Sequence, residues 1–368
     1  MAKKQMIFEL AELFCGPGGL ALGAIKAKAS NESFTARIKP VWANDIDLDT
    51  CKTYVRNIHP NKPEAVVCSP VQEIDFEKVP PFNAFAYGFP CNDFSVVGEQ
   101  KGFSGTYGPL YTYGVKLINM RHPKWFMAEN VSGIQSANEG NAFHQILHDL
   151  ETAGNGYRLT TNLYKFEEYG VPQFRHRIVI IGIRKDLNLE FKVPAPTTRL
   201  KYISALEAIE TPPIPLDASN NELTSQSQLV VERLKYIPPG ENAWYEGIPE
   251  NLRLNVQGAR MSQIYKRLHP DKPSYTLTGS GGGGTHGYHW KENRALTNRE
   301  RARLQTFPDS FIFEGSKESV RKQIGMAVPP KGAQLIIEAV LKTFIGVPYE
   351  YVQPQISNGS PKPQLSLM

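Results

Sequence analysis

Met6-Ile7-Phe8-Glu9-Leu10-Ala11-Glu12-Leu13-Phe14-Cys15-Gly16-Pro17-Gly18-Gly19 is an apolar run of strand length that breaks into a glycine-rich turn. The spacing from Leu20 to Lys28 is then helical, so the stretch reads as strand, turn and helix, the unit from which open α/β sheets are built. The rhythm recurs outward from it. Strands are expected at Val41 to Asn44, Ala65 to Cys68, Phe85 to Phe89, Trp125 to Ala128 and Ile178 to Ile183. Helices are expected at Asp49 to Ile58, Leu110 to Arg121 and Ala142 to Ala153. That alternation predicts an α/β fold with a parallel sheet covered by helices on both faces.

Around residue 190 the pattern changes. Pro194, Pro196, Pro212, Pro213, Pro215, Pro238 and Pro239 interrupt it, and a second, smaller and irregular domain is expected. Helical periodicity returns in Asn298 to Thr306 and in Lys331 to Phe344. The expected division is 1–193 for the first domain, 194–317 for the second, 318–347 returning to complete the first, and 348–368 as a proline-rich disordered tail.

At 368 residues, with 41% hydrophobic and 21% charged residues, the chain is an ordinary globular protein by composition. Lys and Arg outnumber Asp and Glu by 41 to 36. The excess is concentrated late: Lys291 to Lys342 holds ten basic and six acidic side chains, which predicts a localised basic face. Cys15, Cys51, Cys68 and Cys91 are too widely spaced for a zinc knuckle or dithiol motif, so neither a metal nor a disulfide framework is expected. The first residues have neither a signal peptide's character nor a spanning helix's length, and a reducing, cytoplasmic compartment without a membrane is expected.

Pro90-Cys91-Asn92-Asp93-Phe94-Ser95 follows the short run Phe85 to Phe89, so a thiol is delivered at the carboxyl end of a buried strand, where open α/β sheets bind ligands. Cys91 is therefore the candidate nucleophile. The glycine turn after Phe14 lets backbone approach a ligand, although its third glycine falls too early for the dinucleotide fingerprint. Asp45 ends the next strand about where a carboxylate meets ribose hydroxyls. Asp45 or Asp47 equally suits the N-cap of the following helix, and both readings stay open. Glu129 ends a further strand. Arg175 and Arg177 share one side of an extended segment by alternation.

In order along the chain, these motifs resemble the DNA (cytosine-5) methyltransferase family, of the prokaryotic restriction-modification type. The match runs from Phe14-Cys15-Gly16-Pro17-Gly18-Gly19 through Gly88-Phe89-Pro90-Cys91, Glu129-Asn130-Val131 and Gln173-x-Arg175-x-Arg177. It continues in Arg294-Ala295-Leu296-Thr297-x-Arg299-Glu300, Arg303-Leu304-Gln305-x-Phe307-Pro308-Asp309, Gln323-Ile324-Gly325 and Ala327-Val328-Pro329-Pro330. The resemblance implies a Rossmann-like, S-adenosylmethionine-dependent methyltransferase domain with a smaller irregular target-recognition domain. The product is 5-methylcytosine in double-stranded DNA. The alternatives to this reading are a transfer-RNA cytosine-5 methyltransferase and a catalytically inactive DNA-binding relative.

By the same resemblance Cys91, next to Pro90, adds to cytosine C6, and Glu129 holds N3 and the exocyclic amine. Arg177 holds O2, while Arg175 and Gln173 support it or contact phosphate. The cofactor, S-adenosyl-L-methionine, is expected against Phe14, Gly16, Gly18, Gly19, Leu20, Asp45, Ile46, Ser69, Gly88, Leu110, Met326 and Val328. Ser69 stands where an acidic residue is frequent. Met326 stands where asparagine is usual, and a thioether cannot reproduce an amide's hydrogen bonds. Val96 to Leu110 reads as a lid, with Ser95, Gln100 and Lys101 toward DNA. In the recognition domain Thr276, Thr278, Gly281 and Gly282 are expected DNA contacts, with Thr285 and His286 as further hydrogen-bonding groups and Arg260, Lys266 and Arg267 toward phosphate. The partners implied are double-stranded DNA and a separately acting cognate restriction endonuclease, with the chain itself a monomer.

Overall fold

A computed structural model describes residues 3–89, 110–255, 261–279 and 284–356. Strand β1 (Lys4–Leu13) leads through the glycine turn to α1 (Gly19–Lys26). Then come β2 (Lys28–Ser30), β3 (Phe34–Asp45), α2 (Leu48–Ile58), β4 (Val66–Cys68), β5 (Ala84–Tyr87), α3 (Tyr111–Arg121), β6 (Trp125–Val131), α4 (Asn141–Thr152), β7 (Tyr157–Lys165) and β8 (His176–Arg184). They form an eight-stranded sheet in the order β2-β3-β1-β5-β6-β8-β7, with β4 also paired to β3. The centre, β3-β1-β5-β6, is parallel. The carboxyl ends of these strands bring Asp45, Phe14, Gly88 and Glu129 to one edge.

The expectation of a wholly parallel sheet is corrected at both margins. β2 is antiparallel to β3, and β8 is antiparallel to both β6 and β7. β7 was unread because Thr160, Thr161 and Asn162 interrupt its apolar pattern. It joins β8 through a short connection that needs no helical crossover. This reversal has a consequence for the site: it places the start of β8, with Arg177, beside the end of β6, with Glu129.

The second half contains β9 (Val193–Pro194), α5 (Ala205–Glu210), α6 (Gln228–Leu234), α7 (Asn298–Leu304), α8 (Lys317–Met326), α9 (Pro330–Ile345) and β10 (Tyr351–Val352). The segment expected to be irregular holds two short helices, each started by a serine whose hydroxyl accepts a backbone N–H, Ser204 for α5 and Ser227 for α6. A small core of Ala205, Ile209, Leu268, Leu277, Trp290 and Leu304 packs α5 and α7 together. α9 buries Ala333, Ile336, Ile337 and Val340 in the same core as Phe8 and Leu10 of β1 and Leu20 of α1. Lys317–Ile345 is long and apolar enough to cross a membrane by length and composition. It is broken between α8 and α9 by Ala327-Val328-Pro329, and most of it is buried in the protein.

The expected disordered tail is also corrected. β10 pairs antiparallel with β9, and the Gln355 N–H donates to Asn162 Oδ1, so the chain is tied down to at least that point. Residues 357–368 lie outside the described residues.

Candidate active site

Leu13 ends β1, and Phe14 takes a left-handed conformation at φ 53°, which turns the chain out of the sheet and into the glycines. The three glycines do different work. Gly16, at φ 56°, has open space where a side chain would lie. Gly18 is at φ 98°, and a Cβ there would meet Ile58 and Tyr54. At Gly19 a Cβ would fall 2.2 Å from the Val328 carbonyl oxygen, so its missing side chain lets α1 and the segment after α8 touch by backbone. A cavity opens here, walled by Glu12, Phe14, Gly16, Leu20, Gly88, Glu129, Met326 and Val328.

Asp45 and Asp47 are resolved by geometry. Asp47 is the N-cap of α2, its carboxylate accepting from the Thr50 N–H and hydroxyl. Asp45 accepts from the N–H groups of Gly16 and Asp47 at 3.0 Å each, so it ties the glycine turn to the next strand. Burial, the largest influence, raises the Asp45 pKa above the usual carboxylate range. Beside it Ile46 is 67% exposed, an apolar face offered to a flat ligand. Ser69 hydrogen-bonds to Glu73 outside the cavity wall. Leu110 is buried in the core cluster with Phe89 and Tyr111.

On the opposite wall, Arg177 Nε lies 3.0 Å from Glu129 Oε1. Arg177 is the cross-strand partner of Val131, two residues beyond Glu129, so the ion pair is the diagonal that alternation on one sheet face permits. Arg177 Nη1 also donates to the His176 carbonyl at 2.8 Å, which fixes the guanidinium plane. Gly88 makes room for the carboxylate, since a Cβ there would stand 3.1 Å from Glu129 Oε2.

Arg175, expected either to support Arg177 or to contact phosphate, has the placement of a supporting residue. It is fully buried, and its Nη2 donates to the carbonyls of Gly325 and Ala327 at 3.0 Å each. Desolvation, with Arg177 adding to it, pulls its pKa well below the arginine range. Arg175 therefore braces the end of α8 against the start of β8. Gln173 is likewise buried, accepting from the Leu277 N–H. Arg267, expected on phosphate, is spent internally on the carbonyls of His289, Glu292 and Leu234, because these close the loop it supports.

Thr276 donates to the Phe174 carbonyl, and Thr278 is exposed beyond it. Gly325 is needed where this segment meets α8, since a Cβ there would fall 2.2 Å from the Gly279 nitrogen. Pro90, Cys91, Ser95, Gln100, Lys101, Arg260, Gly281 and Gly282 lie outside the described residues. Of the expected basic face, Lys291, Lys317, Lys322 and Lys331 are exposed, whereas four arginines turn inward. Arg299 and Arg301 are buried, Arg303 pairs with Asp309, and Arg294 pairs with Glu300, so much of that charge is internal bracing.

One cavity residue escaped the sequence reading. Glu12 is buried, accepts from the Tyr54 hydroxyl at 2.5 Å, and has its pKa pushed up to about 8 by desolvation. An acid near the end of an otherwise apolar strand was the available signal. Cys15 and Cys51 are both buried, and desolvation raises both thiols, so neither has the lowered pKa of a reactive thiol.

Residues 8–342 match the family described as C-5 cytosine-specific DNA methylase. The type II methyltransferase M.BbvI of Brevibacillus brevis is 61% identical over 353 residues, 94% of this chain and 93% of that protein. M.NgoFVII of Neisseria gonorrhoeae is 41% identical over 345 residues, 91% of this chain and 87% of that protein. A solved DNA modification methyltransferase from an E. coli prophage superposes with a TM-score of 0.65 at 22% identity, covering 92% of this chain and 99% of that one, a likeness of fold. The glycine turn, the Glu129–Arg177 pair and a match over nearly the whole described body agree, and the chain belongs to the C-5 cytosine-specific DNA methylase family.

Proposed function

We propose that this enzyme methylates C5 of a cytosine flipped out of double-stranded DNA at one short sequence, protecting that sequence from a cognate restriction endonuclease in the cytoplasm. The observation that carries the reading is the Glu129–Arg177 pair, of which Glu129 lines the cavity opened by the glycine turn. The type II relatives support the link to restriction. A base inside a duplex cannot reach a pocket of this kind, so the target cytosine must be extruded from the stack.

The cavity suits S-adenosyl-L-methionine: open space at Gly16, the buried Asp45 carboxyl beside it and the exposed Ile46 are what a nucleoside with a charged amino-acid tail needs. Bound there, the cofactor supplies an electrophilic methyl group. Phe14, Gly16, Leu20 and Val328 hold it, and Met326 adds an apolar wall where an amide is usual. Asp45 keeps the turn in register through its two backbone bonds.

Cytosine C5 is a weak nucleophile until a thiolate adds at C6. Cys91 is that nucleophile in this reading. Glu129 orients the ring through N3 and the exocyclic amine, and Arg177 balances charge developing at O2. Once C5 carries the methyl group, a base takes the C5 proton and the C5–C6 double bond re-forms as the Cys91 thiolate leaves. The 194–317 unit reads the target through the segment carrying Thr276 and Thr278.

The test supplies methyl-labelled S-adenosyl-L-methionine with mixed-sequence duplex DNA or with transfer RNA, and identifies the labelled base and its flanks. Label in 5-methylcytosine of DNA at one recurring sequence is expected. Label confined to RNA, or to another base, overturns the reading.

A further inference from the structure

The last turn of α8 is a wall with two sides. On one side Met326 lines the cavity, together with Phe14, Leu20 and Val328. On the other it meets the segment that carries Thr276 and Thr278. A Cβ on Gly279 would stand 2.9 Å from Met326 Cγ and 2.8 Å from the Lys322 carbonyl oxygen, so the missing side chain of Gly279 leaves the space that the thioether chain occupies. The backbone of this turn is held from several directions. The carbonyls of Gly325 and Ala327 accept from Arg175, a Cβ on Gly325 would fall 2.3 Å from the Thr278 carbonyl carbon, and Lys322 Nζ reaches Asp47 Oδ2 at 3.6 Å.

The Met326 side chain differs from the turn that bears it. Gln323, Ile324 and Gly325 are buried, whereas Met326 is 65% exposed, and its unbranched thioether has three rotatable bonds. One adaptable side chain on a fixed backbone thus stands between the cofactor cavity and the segment proposed to read DNA. Filling the cavity takes away the space on one side of it, because packed interiors leave no room for a second occupant. An amide at this position would be pinned by its hydrogen bonds; a thioether is placed by packing alone.

We propose that Met326 is a positioning residue that makes DNA binding depend on cofactor occupancy. With the cavity filled, the thioether is confined to the Gly279 side and supports the 276–279 segment in the arrangement that meets DNA. With the cavity empty, the side chain divides between the two sides and the segment loses part of that support. The side chain is the two-state element, and each ligand biases it toward the same state. Such coupling is reciprocal, so duplex DNA must tighten cofactor binding by the same factor. The assignment rests on the cofactor and DNA readings above.

The test is duplex-DNA affinity by fluorescence anisotropy, with and without saturating S-adenosyl-L-homocysteine, which has no methyl group to transfer, for the full chain and for Met326→Ala and Met326→Leu. The quantity read is the ratio of the two Kd values. In the wild type a ratio of about tenfold is expected, within the usual range of coupling between sites, and calorimetric titration of S-adenosyl-L-homocysteine with and without duplex should return the same factor. Met326→Ala, too short to reach from the cavity to Gly279, is expected to bring the ratio close to one, and Met326→Leu, of similar bulk, to keep most of it. A wild-type ratio of one, or a ratio unchanged in Met326→Ala, overturns the proposal. A merely structural role weakens both Kd values together and leaves their ratio alone, so that result overturns it too. In methionine-methyl NMR the Met326 resonance, identified by its loss in Met326→Leu, is expected to move when S-adenosyl-L-homocysteine is added and to move further in the same direction with duplex. A resonance indifferent to both overturns the proposal. A wild type that binds no duplex defeats the DNA reading, and one that binds no S-adenosyl-L-homocysteine defeats the cofactor reading. Binding of both with a ratio insensitive to residue 326 defeats the Met326 assignment alone.

Discussion

Glu129 and Arg177 are held by different strands, yet their 3.0 Å contact follows from antiparallel pairing and alternation. Arg177→Ala should lower kcat by about 100-fold or more, the range for removing one preorganised donor at a site of developing charge, as single-turnover methylation would show. Gly88→Ala is the subtler perturbation. Its Cβ would press on Glu129 Oε2 from 3.1 Å, and a shift of a few tenths of an ångström should reduce kcat by roughly tenfold with KM for DNA little changed. Glu12 supplies a pH prediction. Its folded pKa of about 8 lies above the 4.5 of an exposed glutamate, so the folded state holds the extra proton and stability falls as pH rises between those values. The slope is at most about 1.4 kcal/mol per pH unit. Glu12→Gln should flatten it, read from thermal melts at pH 5 and pH 8. Glu129 and Arg177 were legible as motif residues, whereas Glu12 was not, because burial of an acid depends on what packs over it.

Helix α8 shows why a motif can look like a binding sequence and act first as a joint. Its Gln323 bonds to Thr53 of α2, Gly325 lies against the 278–279 backbone, and the carbonyls of Gly325 and Ala327 accept from Arg175. Gly325→Ala puts a methyl group 2.2 Å from a backbone nitrogen, which cannot yield like a flexible side chain. The expected loss is about 3 kcal/mol, measurable by chemical denaturation. α7 begins with a reciprocal capping box between Thr297 and Glu300, reinforced by Arg294. Thr297→Ala should cost about 1 kcal/mol. Parallel strands such as β5 were readable because burial on both faces leaves an unbroken apolar run. β7 mixes polar with apolar residues, and α8, whose apolar positions are few, passed unread for the same reason.

Across the molecule, α9 closes the sheet next to β1 and α1, so residues more than three hundred positions apart share one core. The cavity exists only because of that closure: Phe14 and Gly16 come from the first strand's turn, Met326 and Val328 from the chain just before α9. Cys91→Ala is expected to abolish methyl transfer while duplex binding persists, since the proposed reading gives target recognition to the 194–317 unit. A variant that still methylates at a comparable rate would show that the nucleophile lies elsewhere. Gel shift and methyl incorporation on the same preparation separate the two.

Local chemistry was enough to announce the strand, turn and helix unit, the order of the motifs and the identity of Cys91, Glu129 and Arg177 as candidates. These depend on residue type and short spacing, which a linear chain displays. Packing assigned the remaining roles. Asp47 rather than Asp45 caps α2, Arg175 braces α8, the missing side chain of Gly19 makes room for a carbonyl, and the late arginines mostly turn inward. Each depends on which distant backbone or charge lies opposite, and that is set when the chain closes on itself.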